Sequence, residues 1–167
     1  GSGVWRLGPA WRADPSRSRD HLLEFESLDI ETPADSIDRP IALLQSTISA
    51  ALEAAGMDPP SFVRLSYSDA CEVLGLPVGV EFSKAAERQL ASQHDGAYSI
   101  ITGFPSSSRP AYTAPASDGF SHSFDCLSAS GVELASGSLR ATGSEFRQSL
   151  EHRGRGDSLD AFSAWLE

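Results

Sequence analysis

Residues 4–31 hold candidate residues for a site that takes a polyanionic ligand with a flat ring. They comprise an arginine at the end of a predicted strand, an acid and a histidine of the charged loop that follows, and an aromatic and two acids of an alternating run: Arg12, Asp14, His21, Phe25, Asp29 and Glu31. Arginine binds phosphate through its planar fork, and histidine can donate to a terminal phosphate. The alternation predicts a strand over 24–31, and an apolar run predicts another from Val4 to about Ala13. We interpret the stretch as a hairpin for a phosphorylated ligand with a flat ring.

That interpretation has a plain alternative. The hairpin could be an ordinary exposed one with solvated charges, because such patterns are weakly specific. In that case Arg12 would stack over the neighbouring indole of Trp11, and His21 would only cap the charged loop.

A second set of candidate residues lies in the last third of the sequence. Asp125 and Glu133 are expected on the two arms of a second hairpin, Ser121–Leu127 and Gly131–Ser136, and hard cations such as magnesium prefer carboxylate oxygens. Arg140 follows a Gly-Ser pair that allows close backbone approach, so it is suited to bind a ligand carboxylate. The alternatives are solvated strand acids and a surface ion pair. The sequence contains no nucleophile–base triad pattern and no cysteine–histidine metal spacing.

Several helices and strands are needed to position these residues. Apolar residues at spacings of three and four predict a helix over Ile37–Ala55. Ser68 is placed to cap a helix that ends at Leu74, and Ser83 is placed to cap one that ends near Gln93. The other predictions are three strands and two helix starts: Phe62–Tyr67, Tyr98–Thr102, Ala111–Thr113, Ser144 and Asp157. Because hairpins dominate, we predict an α+β fold with a mostly antiparallel sheet flanked by helices.

The composition is that of a globular domain with an acidic balance. The 167 residues are 40% hydrophobic and 22% charged, which suits one domain with a real core. The net charge of -10 argues against a broad nucleic-acid-binding face. No apolar run reaches the roughly 20 residues of a membrane span, and the two cysteines form no disulfide framework. We expect a cytoplasmic protein without membrane contact. Residues 1–3 are typical of a cloning scar, and 4–167 form one predicted domain.

Four segments, in order, resemble one enzyme family. VWRLGPAWRADPSRSRDHLLEFESLDIE resembles the second signature motif of class II aminoacyl-tRNA synthetases, and more narrowly the pattern F-x-I-G-P-x-F-R-A-E … R-H-L-x-E-F-x-x-L-D-I-E of the aspartyl/asparaginyl branch. Later segments of that branch are similar to RLSYSDACEVLG, AYSIITGFPSSSRPAYTAP and SFDCLSASGVELASGSLR. The resemblance covers nearly the whole chain. It implies a partial class II catalytic core that activates aspartate or asparagine with ATP and transfers it to tRNA.

The resemblance implies roles for the hairpin residues at an ATP site. Arg12 matches the arginine that binds the α-phosphate and stabilises the charge that develops there. Phe25 matches the aromatic that stacks on adenine, and His21 matches the loop histidine near the γ-phosphate. Asp14 stands where the family usually has a glutamate near the adenine amino group.

The resemblance also implies roles at the magnesium and amino-acid sites. Asp125 and Glu133 match acids around ATP and its magnesium, and Asp125 is also counted among the substrate-binding residues. Arg140 matches the arginine that pairs with the side chain of the amino acid, which favours aspartate or asparagine without deciding between them. Asp29 and Glu31 complete the predicted substrate-binding set. The family is homodimeric, so a second subunit is an implied partner.

The chain departs from the family's pattern at several positions that bear on activity. Asp20 stands where the pattern has arginine, and reversing one charge at about 4 Å shifts the local interaction by several kcal/mol before screening. Ala111 replaces a phenylalanine, and Thr142 replaces a histidine. The first, dimer-forming motif, the third motif and the anticodon-binding domain are not found in this sequence.

These departures leave two functional hypotheses. In the first, the chain is part of an aspartate–tRNA ligase, and we expect weak or absent aminoacylation from it alone. In the second, it is a truncated paralogue that binds a nucleotide, an amino acid or a partner protein without charging tRNA. Because the dimer-forming motif is missing, we also expect an exposed sheet surface and self-association.

Overall fold

The structure, a computed structural model, describes residues 3–13 and 22–156 of the chain. The chain divides into two compact units, residues 1–35 and residues 36–167, which are described separately below. Among the described residues, no helix has the length and the apolar character needed to cross a membrane. The predicted helix at Asp157 lies outside the described residues.

The first unit is the predicted hairpin. Strands β1 (Val4–Trp11) and β2 (Glu24–Glu31) pair antiparallel along their full length. Arg12 extends the ladder, because its backbone N–H donates to the carbonyl of Leu23 at 2.9 Å. Directly opposed residues share a face, so the register gives the hairpin one apolar face of exposed side chains: Trp5, Leu7, Trp11, Leu28 and Ile30. The hairpin prediction is confirmed.

The second unit contains four strands and four α-helices among its described residues, besides two short 3₁₀ turns at 106–108 and 117–119. In chain order they are α1 (Asp38–Ala54), β3 (Phe62–Ser66), α2 (Tyr67–Leu74), α3 (Lys84–Ser92), β4 (Tyr98–Thr102), β5 (Ser123–Leu127), β6 (Glu133–Ser138) and α4 (Gly143–His152). The strands form one sheet in the order β3-β4-β5-β6, in which only β3 and β4 are parallel. The predicted α+β fold with a mostly antiparallel sheet is therefore confirmed.

Helices cover both faces of this sheet. Consecutive residues of a strand point to opposite faces, and Ile100 and Ile101 of β4 accordingly enter two separate cores. Ile100 packs with Ile41 of α1, whereas Ile101 packs with α2 and α3 through Leu90 and other residues. Cys126 lies on the α1 side, where burial and then the charge of Asp125 raise the pKa of its thiol to about 11, so it is protonated at neutral pH.

Hydroxyl caps begin the helices that lead to the candidate site. Ser83 caps α3, as the sequence predicts. Thr142 caps α4, which begins at Gly143, one residue ahead of the predicted start at Ser144. The prediction that Ser68 caps α2 is wrong, because Ser66 is the cap. Ser66 keeps the extended backbone of β3 while its hydroxyl accepts from the N–H of Asp69 at 3.0 Å, so strand passes directly into helix.

The predicted strand Ala111–Thr113 is also wrong. The segment forms a turn in which the N–H of Thr113 donates to the carbonyl of Pro110, and its ladder contact is one bridge between Thr113 and Arg140. Pro110, which directly precedes the segment, has no N–H to donate to a ladder, and this favours the turn over the strand.

Candidate functional site

A cavity of about 310 Å³ opens on the side of the sheet that α2 and α3 cover. It contains both acids that the sequence predicts for magnesium, Asp125 of β5 and Glu133 of β6. Aromatic rings form its apolar wall, and two cations, Lys84 and Arg109, face it together with the acids. The lining of the site is thus partly charged and partly apolar.

Tyr67 organises the apolar wall. Its ring stacks on Phe82 with centroids 5.1 Å apart and lies 5.3 Å from the ring of Phe104. Its hydroxyl donates to the carbonyl of Val80 at 2.7 Å and accepts from the N–H of Gly79 at 2.9 Å. Burial, and then contact with Cys71, raise the pKa of Tyr67, so the phenol stays neutral and fixes the loop beside it.

A β-bulge sets the direction of Glu133. Cys126 pairs with Ala135, but the next residue, Leu127, pairs with Glu133, so Leu134 is an extra residue in β6. A regular ladder would place Glu133 on the opposite face, because side chains alternate along a strand. The bulge instead turns Glu133 to the face of Leu127 and Asp125.

Asp125 is held by a bidentate salt bridge. Arg109 Nη1 lies 3.0 Å from Asp125 Oδ1, and Arg109 Nη2 lies 2.6 Å from Oδ2. The two side chains are only 17% and 16% exposed. The guanidinium carbon of Arg109 also lies 3.8 Å from the ring centroid of Phe104, while its buried Nε has no hydrogen-bond partner among the described residues.

Glu133 is bound more loosely. Lys84 Nζ lies 3.8 Å from Glu133 Oε2 but 2.7 Å from an oxygen of Glu87, so the ammonium is mainly engaged elsewhere. The Glu133 side chain is 41% exposed. Loss of hydration raises the pKa of Glu133, the negative charge of Asp125 raises it further, and Lys84 partly offsets both.

The two acids therefore differ in how they fit a magnesium ion. The described residues contain no group of three or more potential metal ligands, but magnesium commonly takes one or two protein carboxylates together with phosphates of the substrate. Glu133 can supply such an oxygen. Both oxygens of Asp125 already accept hydrogen bonds from Arg109.

The hairpin unit brings two of its candidate residues together. The guanidinium carbon of Arg12 lies 5.2 Å from the ring centroid of Phe25, rather than over the indole of Trp11. Asp29 accepts a hydrogen bond from Ser27 at 2.9 Å, and Glu31 follows at the end of β2 on the same face. Asp14, Asp20 and His21 lie outside the described residues.

Arg140 does not line the cavity that contains Asp125 and Glu133. It follows β6, its guanidinium carbon lies 4.5 Å from the ring centroid of Tyr112, and it is not among the residues that line the cavity. The structure therefore gathers Asp125 and Glu133 in one cavity and leaves Arg140 on the turn beside β6.

Sequence reasoning missed the cations of the cavity. Arg109 belongs to the segment GFPSSSRPAYTAP and Lys84 to a predicted helix, but the sequence analysis assigns neither of them to a site. An arginine directly before a proline, at the end of a buried strand and its loop, is the signal that could have identified Arg109. The pairing of Arg109 with Asp125, 16 residues later, has no local signal in the sequence.

Comparisons with known proteins agree with the sequence motifs. The family model for tRNA synthetases class II (D, K and N) matches residues 2–163. The Aspartate--tRNA(Asp/Asn) ligase of Thermus thermophilus is 32% identical over 98% of this chain and 44% of its own length. The Aspartate--tRNA(Asp) ligase of Thermoplasma acidophilum is 31% identical over 82% of this chain and 37% of its own.

Solved structures show the same fold. The asparaginyl-tRNA synthetase from Pyrococcus horikoshii complexed with asparaginyl-adenylate has a TM-score of 0.87 at 23% identity, with 98% of this chain and 43% of that chain covered. The aspartyl tRNA synthetase from Entamoeba histolytica has a TM-score of 0.80 at 26% identity, with 91% and 38% covered. The chain spans less than half the length of these relatives.

Proposed function

The chain belongs to the class II tRNA synthetases of the D, K and N group, and from this premise we propose that it carries part of an aspartate–tRNA ligase active site. In this proposal it binds ATP with magnesium and aspartate or asparagine. The carboxylate of the amino acid attacks the α-phosphorus of ATP, pyrophosphate leaves, and the complete enzyme transfers the aminoacyl group to tRNA. The observation that carries the proposal is the pairing of Arg12 with Phe25.

Arg12 and Phe25 supply the two contacts that a nucleotide needs. The ring of Phe25 offers a face for adenine, and the guanidinium of Arg12 beside it can reach the α-phosphate and neutralise the charge that develops there. Asp14 and His21 would act from the loop, near the adenine amino group and the γ-phosphate. No covalent enzyme intermediate is needed, so positioning and charge neutralisation carry the catalysis.

We assign Asp125 and Glu133 to the magnesium ion. Magnesium, when bound, would neutralise phosphate oxygens, and Glu133 is the better placed of the two predicted ligands because it is partly exposed and only loosely paired. Asp125 remains a proposed contact of the substrate and of the magnesium.

Arg140 is assigned to the side chain of the amino acid. Tyr112 lies against its guanidinium, and the planar fork is suited to bind a carboxylate or amide. Asp29 and Glu31 complete the proposed substrate contacts.

Replacement of Arg140 with alanine is expected to abolish the preference for aspartate over lysine among adenylate analogues, because the matching cation is lost. Calorimetric titration with the two analogues measures the preference. Arg64→Ala is the matched control, since it removes an arginine that pairs with Asp38 instead. A preference that survives in the Arg140 variant would rule out its assigned role.

The binding proposal is tested with the 167-residue chain. We expect a nonhydrolysable aspartyl-adenylate analogue to bind in calorimetry, and ATP to bind when magnesium is present. Absence of heat with both ligands, in chain shown to be folded by circular dichroism, would overturn the proposal.

A second candidate function is that of a paralogue that binds these ligands, or a partner protein, without charging tRNA. The net charge of -10 favours it, because an acidic surface repels the phosphate backbone of tRNA. We expect no robust charging of tRNA by the purified chain, and robust charging would exclude this candidate. A homodimeric parent protein and a cytoplasmic location complete the proposal.

A further inference from the structure

The C-terminal end of α4 holds the loop that carries Arg109. Arg153 directly follows the last residue of this helix, and its Nη2 donates to the carbonyl of Ser106 at 2.8 Å and to that of Arg109 at 2.7 Å. We propose that Arg153 is a positioning residue of the candidate site, which fixes the loop so that Arg109 keeps its bidentate contact with Asp125. This role rests on the proposed function in one respect, namely that Asp125 contacts a ligand.

The turn at 106–108 is held weakly by its own backbone. It is a single 3₁₀ turn, a conformation with poor hydrogen-bond geometry, and the N–H of Arg109 donates to the carbonyl of Ser106 at 3.3 Å. The hydroxyl of Ser106 donates to the carbonyl of Phe120 at 2.7 Å, which fixes the beginning of the turn. Arg153 fixes the end as well, because one of its nitrogens joins the carbonyls of Ser106 and Arg109.

Arg153 is in turn fixed by α4. Its Nε donates to the hydroxyl of Ser149, one helical turn earlier, at 3.3 Å. Gly154, with a φ of +66°, ends the helix, and the N–H of Arg155 donates to the carbonyl of the buried Leu150 at 2.8 Å. Because a charged donor forms stronger hydrogen bonds than a neutral one, Arg153 is well suited to restrain a loop from a helix end.

The loop transmits this restraint to the cavity. Arg109 leaves the turn with an extended backbone, and its guanidinium lies over the ring of Phe104 and pairs with both oxygens of Asp125. A bidentate pair is directional, so a loop that shifts can keep an ion pair but not both parallel hydrogen bonds. Loss of Arg153 should therefore loosen Asp125 although Arg153 does not line the cavity.

The first test observes Arg109 by nuclear magnetic resonance in the full chain without ligand. Rotation of a free guanidinium averages the ¹H–¹⁵N signals of its terminal nitrogens, whereas a bidentate pair slows that rotation, so Arg109 should give distinct signals. Arg109→Lys identifies these signals by their absence. Arg153→Ala should average them, and because Arg153 is exposed, its removal leaves no cavity in the core.

The second test measures the affinity for the aspartyl-adenylate analogue by calorimetry. Arg153→Ala should weaken binding about three- to tenfold, a coupling of the usual size within one hydrogen-bond network. Arg153→Lys should lose less, since an ammonium keeps the charge and its donors on a shorter stem. In an Arg109→Gln background, Arg153→Ala should change the affinity by less than twofold, because its effect passes through Arg109.

Arg155→Ala is the matched control, since it removes the same charge two residues away from a side chain without an assigned role, and it should change neither measurement. Three results would overturn the inference: averaged Arg109 signals in the unsubstituted chain, distinct Arg109 signals in a folded Arg153→Ala chain, or an equal loss of affinity with and without Arg109. If Arg153→Ala does not fold, Arg153→Lys is measured in its place, with losses in the same direction. If the analogue does not bind, the proposed function fails, and the ligand-free signals alone decide the role of Arg153.

Discussion

Replacement of Gly131 with alanine is expected to lower the free energy of unfolding by about 3 kcal/mol, the sum of two costs of comparable size. Gly131 has a φ of +77°, which costs an L-residue roughly 1–2 kcal/mol. A Cβ at this position would also lie 2.5 Å from Cα of Arg88, and a backbone atom of a helix cannot move aside as a side chain can. The hairpin turn and α3 would have to separate.

Gly75 provides a matched control for the Gly131 variant. It has a φ of +65°, but a Cβ there would have no atom within 4 Å. Gly75→Ala should therefore lower the free energy of unfolding only by the conformational cost, roughly 1–2 kcal/mol. Urea unfolding followed by circular dichroism measures both variants. Equal losses for the two would mean that α3 does not pack closely on the β5–β6 turn.

Replacement of Arg12 with alanine is expected to weaken binding of the aspartyl-adenylate analogue roughly ten- to a hundredfold, since a hydrogen bond to a charged group contributes about 1.5–3 kcal/mol. The guanidinium that flanks the ring of Phe25, and that we propose meets the α-phosphate, would be lost together with its charge. Arg12→Lys should give an intermediate loss, because it keeps the charge but not the planar fork. Calorimetric titration gives the affinities.

Arg39→Ala in α1 is the control for the Arg12 variants, because it removes a cation that has no assigned role at the site. Its affinity for the analogue should stay within twofold of that of the unsubstituted chain. An Arg12→Ala chain that binds equally well would remove the main support for the nucleotide site.

Local patterns were sufficient to predict much of the fold. The hairpin follows from the alternation over 24–31, and α1 follows from apolar spacing between Ile37 and Ala55. The sequence pattern predicts the cap of α2 two residues late, since Ser66 and Ser68 are both serines near the start of the helix. Ser66 is the cap because β3 gives it the extended backbone that a cap residue needs.

The candidate site was predicted less completely, for a physical reason. The resemblance placed Asp125 and Glu133 near one another, and they do share a cavity. Arg109, which occupies both oxygens of Asp125, was not identified, because a salt bridge across 16 residues depends on how a loop packs on a strand. Spacing within one element cannot encode that contact.

The bulge in β6 also affects how sequences of this kind should be aligned. In a regular strand, the gain or loss of one residue turns every side chain beyond it to the other face. Leu134 lies in the bulge, and without it the ladder would be regular with Glu133 on the same face as now. The number of residues between Glu133 and Arg140 can therefore differ by one between homologous chains while the acid keeps its orientation. A gap at this point is not evidence that the site is lost.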